Sequence, residues 1–234
     1  RRIGKSTIVE EFAKNEYDDY MILDFAREGN DIRENFIENM SHLDSFFRNL
    51  FLLKGKSLEG TRCVIIFDEV QMFPQARQAI KYLVADGRYD YIETGSLISI
   101  RKNVQNILIP SEEYRIKMFP MDFEEYLWAL GDHVTVPVIE EAFKVRKPLG
   151  DAVHRKIMKN FRSYMAVGGM PQAVEAYVQG KTFAQIDFIK RNILALYEED
   201  LAKYDKENQE HASVIYKTIP EQLENKIHIS NFPW

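Results

Sequence analysis

Cys63-Val64-Ile65-Ile66-Phe67-Asp68-Glu69 decides the reading of this chain. Five apolar residues, three of them β-branched, form an unbroken run with no polar alternation. That is the pattern of a strand buried on both faces, as in a parallel sheet covered by helices. Two carboxylates close the run. In an open α/β sheet the carboxyl ends of the strands are where ligands bind, so Asp68 and Glu69 are placed for chemistry.

Working outward, the neighbouring segments alternate strand and helix. Residues 20–25 predict a strand ahead of the central one, and Tyr89-Asp90-Tyr91-Ile92-Glu93-Thr94-Gly95-Ser96 predicts a strand after it. A charged stretch from Arg27 to Arg33 leads into helical residues up to about Leu53. Gln75 to Asp86 repeats apolar residues at Ala76, Ile80, Leu83 and Val84, a helix with one inward face that Gly87 can close. A further helix is expected from about Leu97, and the alternation Tyr114-Arg115-Ile116-Lys117-Met118 predicts another strand. The expected fold is α/β, a doubly wound parallel sheet of the P-loop NTPase kind over 1–120. After Pro120 only helices are expected. Asp122 followed by Glu125 reads as a capping box, and Thr182 as the cap of a long helix with Ile186, Ile189, Ile193 and Leu196 inward. Residues 121–223 therefore form a second, smaller, all-helical lid domain, and 224–234 either start a C-terminal region or stay unassigned.

At the chain's start stands Gly4-Lys5-Ser6-Thr7, the end of the G-x-x-x-x-G-K-[ST] phosphate-binding pattern. Its first Gly falls two residues before Arg1, so the chain is expected to begin inside its own motif. Gly4 lets the backbone approach a phosphate without a Cβ. Lys5 supplies a cation for the β- and γ-phosphates, and the Ser6 hydroxyl is a magnesium ligand. The helix continuing over 6–14 turns its positive end toward the phosphates, with Ile8, Val9 and Phe12 on one face. Four residues recur by chance and an ordinary capped helix start looks the same. The acidic strand some sixty residues on breaks that tie.

The two motifs together predict an ATPase. Asp68 joins Ser6 as the metal pair for Mg²⁺, and Glu69 orients and deprotonates the attacking water. The catalytic pair is Glu69 and Lys5. The ATP-binding set is Arg2, Ile3, Gly4, Lys5, Ser6, Thr7, Asp68, Thr94 and Ser96. Thr94 or Ser96 would bond the γ-phosphate or the water, or else the Thr-Gly-Ser turn caps the next helix. A switch that binds ATP and signals by shape, with negligible free turnover, is the alternative. A small-molecule kinase would not need Glu69, and no Asn-Lys-x-Asp guanine-reading motif is present, since Asn225-Lys226 runs into Ile227-His228.

Composition narrows the remaining classes. The 234 residues carry 31 basic and 36 acidic side chains, net −5, without the overall footprint of a nucleic-acid binder. The single Cys63 excludes an internal disulfide and suits a reducing, cytoplasmic setting. No apolar run has the length of a membrane span. The five histidines show no metal-ligand spacing.

The ordered motifs Arg1-Arg2-Ile3-Gly4-Lys5-Ser6-Thr7, Asp68-Glu69-Val70-Gln71, Thr94-Gly95-Ser96, residues 118–127 (Met118-Phe119-Pro120 onward) and 164–171 with Gly168-Gly169-Met170-Pro171 resemble a large bacterial and archaeal family of predicted AAA-type ATPases. In that family the ATPase core precedes a C-terminal domain of unknown function, nuclease-like in many members, which this chain is expected to stop short of. The resemblance spans most of 1–223. It implies the same roles for Lys5, Ser6, Asp68 and Glu69, with 94–96 as the sensor region. Protein or nucleic-acid partners reached through that C-terminal domain, and a homo-oligomer, stay open. Many relatives carry a Gly-Arg pair where this chain has Ser111-Glu112-Glu113-Tyr114-Arg115. Arg115, the candidate arginine finger acting in trans, therefore reads better as a surface arginine on a strand edge. Gly168-Gly169 is either a hinge for lid movement or simply the end of one helix before the next.

Overall fold

The computed structural model describes residues 2–95, 113–204 and 209–224. They fall into two compact units, Ile3 to Met118 and Phe119 onward.

In the first unit, helices α1 (Lys5–Glu16), α2 (Asn30–Asn39), α3 (Leu43–Lys54) and α4 (Pro74–Asp86) surround strands β1 (Asp19–Asp24), β2 (Cys63–Asp68) and β3 (Asp90–Glu93). The described strands make one parallel sheet in the order β1-β2-β3. All six residues of β2 are buried, as its unbroken apolar run requires. Because successive side chains alternate faces, Val64 and Ile66 point one way and cluster with Ala13 of α1. Ile65 and Phe67 point the other way, into a larger core built from α2, α3 and α4. Helices thus cover both faces of the sheet.

The expected helix up to Leu53 is two helices, α2 and α3, separated by a turn at residues 40–42. Within α4, Ala76, Ile80 and Leu83 are buried, whereas Val84 is 38% exposed. Gly87 closes the helix with φ 74°, the left-handed conformation that glycine adopts without a Cβ penalty. On α1, Val9 is half-buried but Ile8 and Phe12 face outward. The strand expected at 114–118 does not form. Tyr114 is 87% and Ile116 80% exposed, so among the described residues the alternation has neither a sheet partner nor a core to face. The helix expected from Leu97 lies outside the described residues.

Every described element after Phe119 is helical: α5 (Phe123–Ala129), α6 (Thr135–Val145), α7 (Asp151–Val167), α8 (Pro171–Val178), α9 (Phe183–Tyr204) and α10 (Gln209–Glu224). The Asp122/Glu125 capping box forms with both of its bonds at 2.9 Å. Thr182 and Gln185 exchange the same kind of bonds at the start of α9, and Ile186 and Ile193 are buried beneath it. Gly168 ends α7 at φ 81°, and Gly169 packs on the chain entering α5. The Met121 N–H donates to the Gly169 carbonyl at 2.7 Å. A Cβ on Gly169 would stand 2.0 Å from the Met121 carbonyl oxygen, so only glycine fits. In this structure the glycine pair ends a helix and permits a close backbone approach.

Candidate functional site

The carboxyl end of β2 gathers oxygen ligands from three parts of the first unit. Strand register does most of the work. Phe67 pairs with Glu93, and the Thr94 N–H donates to the Phe67 carbonyl at 2.9 Å, so Thr94 stands beside Asp68. Its hydroxyl donates to Asp68 Oδ1. The Ser6 hydroxyl, on the first turn of α1, donates to the same oxygen at 3.0 Å. The Glu69 N–H also reaches Asp68 Oδ1, at 3.1 Å. The sequence therefore brings Ser6, Asp68 and Thr94 together across sixty and twenty-odd residues of chain. Asp68 is 8% exposed and Thr94 4%, while Ser6 is open to solvent.

Glu69 follows in an unusual backbone state. Its φ of 51° lies in the left-handed region that non-glycine residues adopt at a cost on the order of 1 kcal/mol. That turn swings the chain out of the strand and into the short 3-10 turn Val70–Met72. The buried Gln71 amide donates to Glu69 Oε2. Gln71 stands two residues on, across a tight turn, and that position lets it hold the carboxylate; no spacing in the sequence marks it for this role.

Gly4 precedes α1 with φ 81°, and the first helical bond runs from the Ile8 N–H to the Gly4 carbonyl at 2.9 Å. No side chain caps this end. Its first-turn N–H groups therefore suit an acceptor supplied from outside the helix, such as a phosphate oxygen. Lys5 and Ile3 are half-buried at this end, Thr7 is exposed, and Arg2 is exposed with φ 58°. Ser96 lies outside the described residues.

Asp24, at the end of β1, stands in register with Asp68 and accepts from the Ala26 N–H at 3.0 Å. A second polar group lies at the end of β3. Buried Arg77 of α4 reaches Glu93 at 3.3 Å and Glu113 at 2.9 Å, and Arg115 pairs with Glu113 at 2.9 Å. Burial pushes the Glu93 carboxyl up to about 7, with Glu113 adding a like charge and Arg77 and Arg115 pulling back. Arg115 thus engages a carboxylate of its own chain, on a segment that is no strand edge. Neither partner of Arg77 was legible, because nothing in a helix-surface pattern distinguishes a buried arginine from an exposed one.

The oxygen set also suits magnesium. Mg²⁺ takes one or two carboxylates with substrate phosphates and water, in preference to an all-protein cage. Among the described residues no group of three or more His, Cys, Asp or Glu side chains could form such a cage. Ser6 and Asp68 would hold the ion between them.

A parallel sheet whose central strand ends in Asp-Glu, next to a Gly-Lys-Ser helix start, defines a class that the comparisons make specific. The chain belongs to the family described as AAA domain, whose model matches residues 1–127. A second model, a domain of unknown function (DUF8612), matches residues 158–232. No curated protein and no solved structure matches the chain. Among the described residues no helix is long and apolar enough to cross a membrane.

Proposed function

We propose that this AAA-family protein binds ATP with Mg²⁺ and hydrolyses it to ADP and phosphate, on a doubly wound core over 1–120 followed by a helical lid over 121–223. The observation that carries this reading is the hydrogen bond from Ser6 to Asp68. It joins the two motifs at one point, and their oxygens would exchange that bond for the metal. Bound there, Mg²⁺ would neutralise charge on the β- and γ-phosphates. Lys5 adds a second positive charge to those phosphates, and the uncapped end of α1 adds N–H donors. Glu69 takes the proton of the attacking water as the water oxygen bonds to the γ-phosphorus and the bond to ADP breaks. Thr94 holds Asp68 in place from the next strand.

Glu69→Gln should bind ATP normally and lose about 10²–10⁴-fold in turnover, the usual contribution of a positioned base. Lys5→Ala should lose nucleotide affinity itself. Turnover by Glu69→Gln equal to that of the unaltered protein would remove Glu69 from the reaction.

One observation favours the switch reading, in which turnover without a partner is negligible. The Gln71 amide engages Glu69 Oε2, which leaves only Oε1 open to take a proton from water. Steady ATP turnover by the isolated protein decides for the hydrolase. Tight binding with turnover only on addition of a partner decides for the switch.

A further inference from the structure

Residues 144–162 reverse the charge balance of the molecule. They carry seven Lys and Arg residues against the single carboxylate of Asp151, in a chain with 31 basic and 36 acidic residues overall. Most of that charge lies on α7, and its placement follows from how the helix is anchored. Phe161 meets Phe123 of α5 edge to face at 5.2 Å and Tyr164 meets it tilted at 5.7 Å, Tyr164 also meets Tyr126, and Val167 is fully buried. That apolar face is fixed to the core of the second unit, so the opposite face points outward.

The outward face carries Arg155, Lys159 and Arg162 at i, i+4 and i+7, with Lys156 beside them, and all four are exposed. Among the described residues none of the four makes a hydrogen bond or ion pair; Lys156 only eases the ionisation of Asp132 through space. Arg155 and Arg162 are separated by about 10 Å along the helix. At the start of α7, a cleft of about 910 Å³ is lined by Lys144, Arg146 and Lys147 together with Asp151 and the exposed Phe143.

We propose that this face of α7 docks on the phosphate backbone of a duplex nucleic acid, without reading its sequence. Three observations favour that occupant. Unpaired cations in a row match a row of phosphates, and releasing their counterions drives binding. Beside the cations stand Ser163, the half-buried Met158 and the exposed Met165, so the face has no large aromatic anchor and carries more lysine than a protein interface. Along α7 itself no Phe, Tyr or Trp ring stands among the exposed cations for unpaired bases to stack on, which argues against single strands on this face. The proposal is independent of the ATPase reading, and its test needs no nucleotide.

The full 234-residue chain is titrated against a fluorescent duplex of about 30 base pairs by anisotropy, over a series of salt concentrations. Four phosphate contacts predict that log K falls with log salt at a slope of about −3.5. Removing three cations in R155A/K159A/R162A should bring the slope to about −1 and weaken binding at least about tenfold near 100 mM salt. R155K/R162K keeps the charges and should bind as the unaltered protein does. Matching circular dichroism and an unchanged denaturant midpoint in the triple variant separate this effect from misfolding. The proposal is overturned if the unaltered chain fails to bind duplex at low salt, or if the triple variant keeps the original affinity and slope. Tighter, stripe-dependent binding of polyglutamate than of duplex would also overturn it, and would assign the face to an acidic protein.

Discussion

The two units solve the same problem, burying large aromatic rings, in opposite ways. Beneath the sheet of the first unit, Phe25, Phe36, Phe46, Phe67 and Phe73 meet edge to face or tilted at 4.8–5.8 Å, with no polar atom among their side chains. In the second unit tyrosines share the ring cluster around α5 with phenylalanines: Tyr126 meets Tyr164 at 5.4 Å and Tyr177 at 5.9 Å, beside Phe123 and Phe161. A phenylalanine core needs only volume and shape. A tyrosine core also has to place hydroxyl groups, and in return it can fasten backbone to side chain. The difference tells where each unit is sensitive: the first to lost volume, the second also to the bond that the Tyr164 hydroxyl makes.

The strongest test of that contrast is Phe67→Ala. Phe67 is 1% exposed, lies on the strand that ends at Asp68, and touches Phe25, Phe36 and Tyr91. Truncation leaves a cavity that a sheet covered on both faces closes poorly, so the loss should be about 3–5 kcal/mol. Denaturant unfolding followed by hydrogen exchange on the β2 amides measures it. A loss under about 1 kcal/mol would mean that this core relaxes far more easily than close packing allows.

These sensitivities were unevenly legible in the sequence. The buried strand, the helix closed by Gly87 and the Asp122/Glu125 box were readable, since each depends on residues within a few positions of one another. The Ser6–Asp68 contact was readable only because both ends carry known motifs. Two kinds of feature were not. Alternation at 114–118 looks like a strand, but strand formation needs a partner, and among the described residues Tyr114 and Ile116 have none to pack on. The Arg77–Glu93–Glu113 group joins a helix, a strand end and a later segment, and no local period records such a contact.

That group gives the next test, of intermediate size. The Glu93 carboxyl is raised from its ordinary 4.5 to about 7, chiefly by burial. A folded state that holds the proton more tightly than the unfolded chain is favoured at low pH. The contribution is fully present below about pH 4.5 and is lost as pH rises through about 7. Across that window the loss is on the order of 3 kcal/mol. Unfolding free energies at several pH values should therefore decline toward neutrality in the unaltered protein. In Glu93→Gln, which cannot ionise, that share of the decline should disappear. Parallel profiles for the two proteins would show that Arg77 and Arg115 hold Glu93 ionised throughout.

The smallest effect lies in the tyrosine core, and it is the one that distinguishes that core from the other. The Tyr164 hydroxyl donates to the Met121 carbonyl at 3.0 Å. Met121 in turn donates its N–H to the Gly169 carbonyl, so one residue is fastened twice to the end of α7. Tyr164→Phe keeps the ring against Phe123 and Tyr126 and removes only the first bond, at a cost of about 1 kcal/mol. A phenylalanine core would register no such change, because its rings carry no donor. If Tyr164→Phe unfolds at the same denaturant concentration as the unaltered protein, the hydroxyl is a passenger and both units obey volume alone. If it is destabilised by about 1 kcal/mol, the Met121 junction depends on that hydroxyl, and the second unit is held in register by its polar contacts as well as its packing.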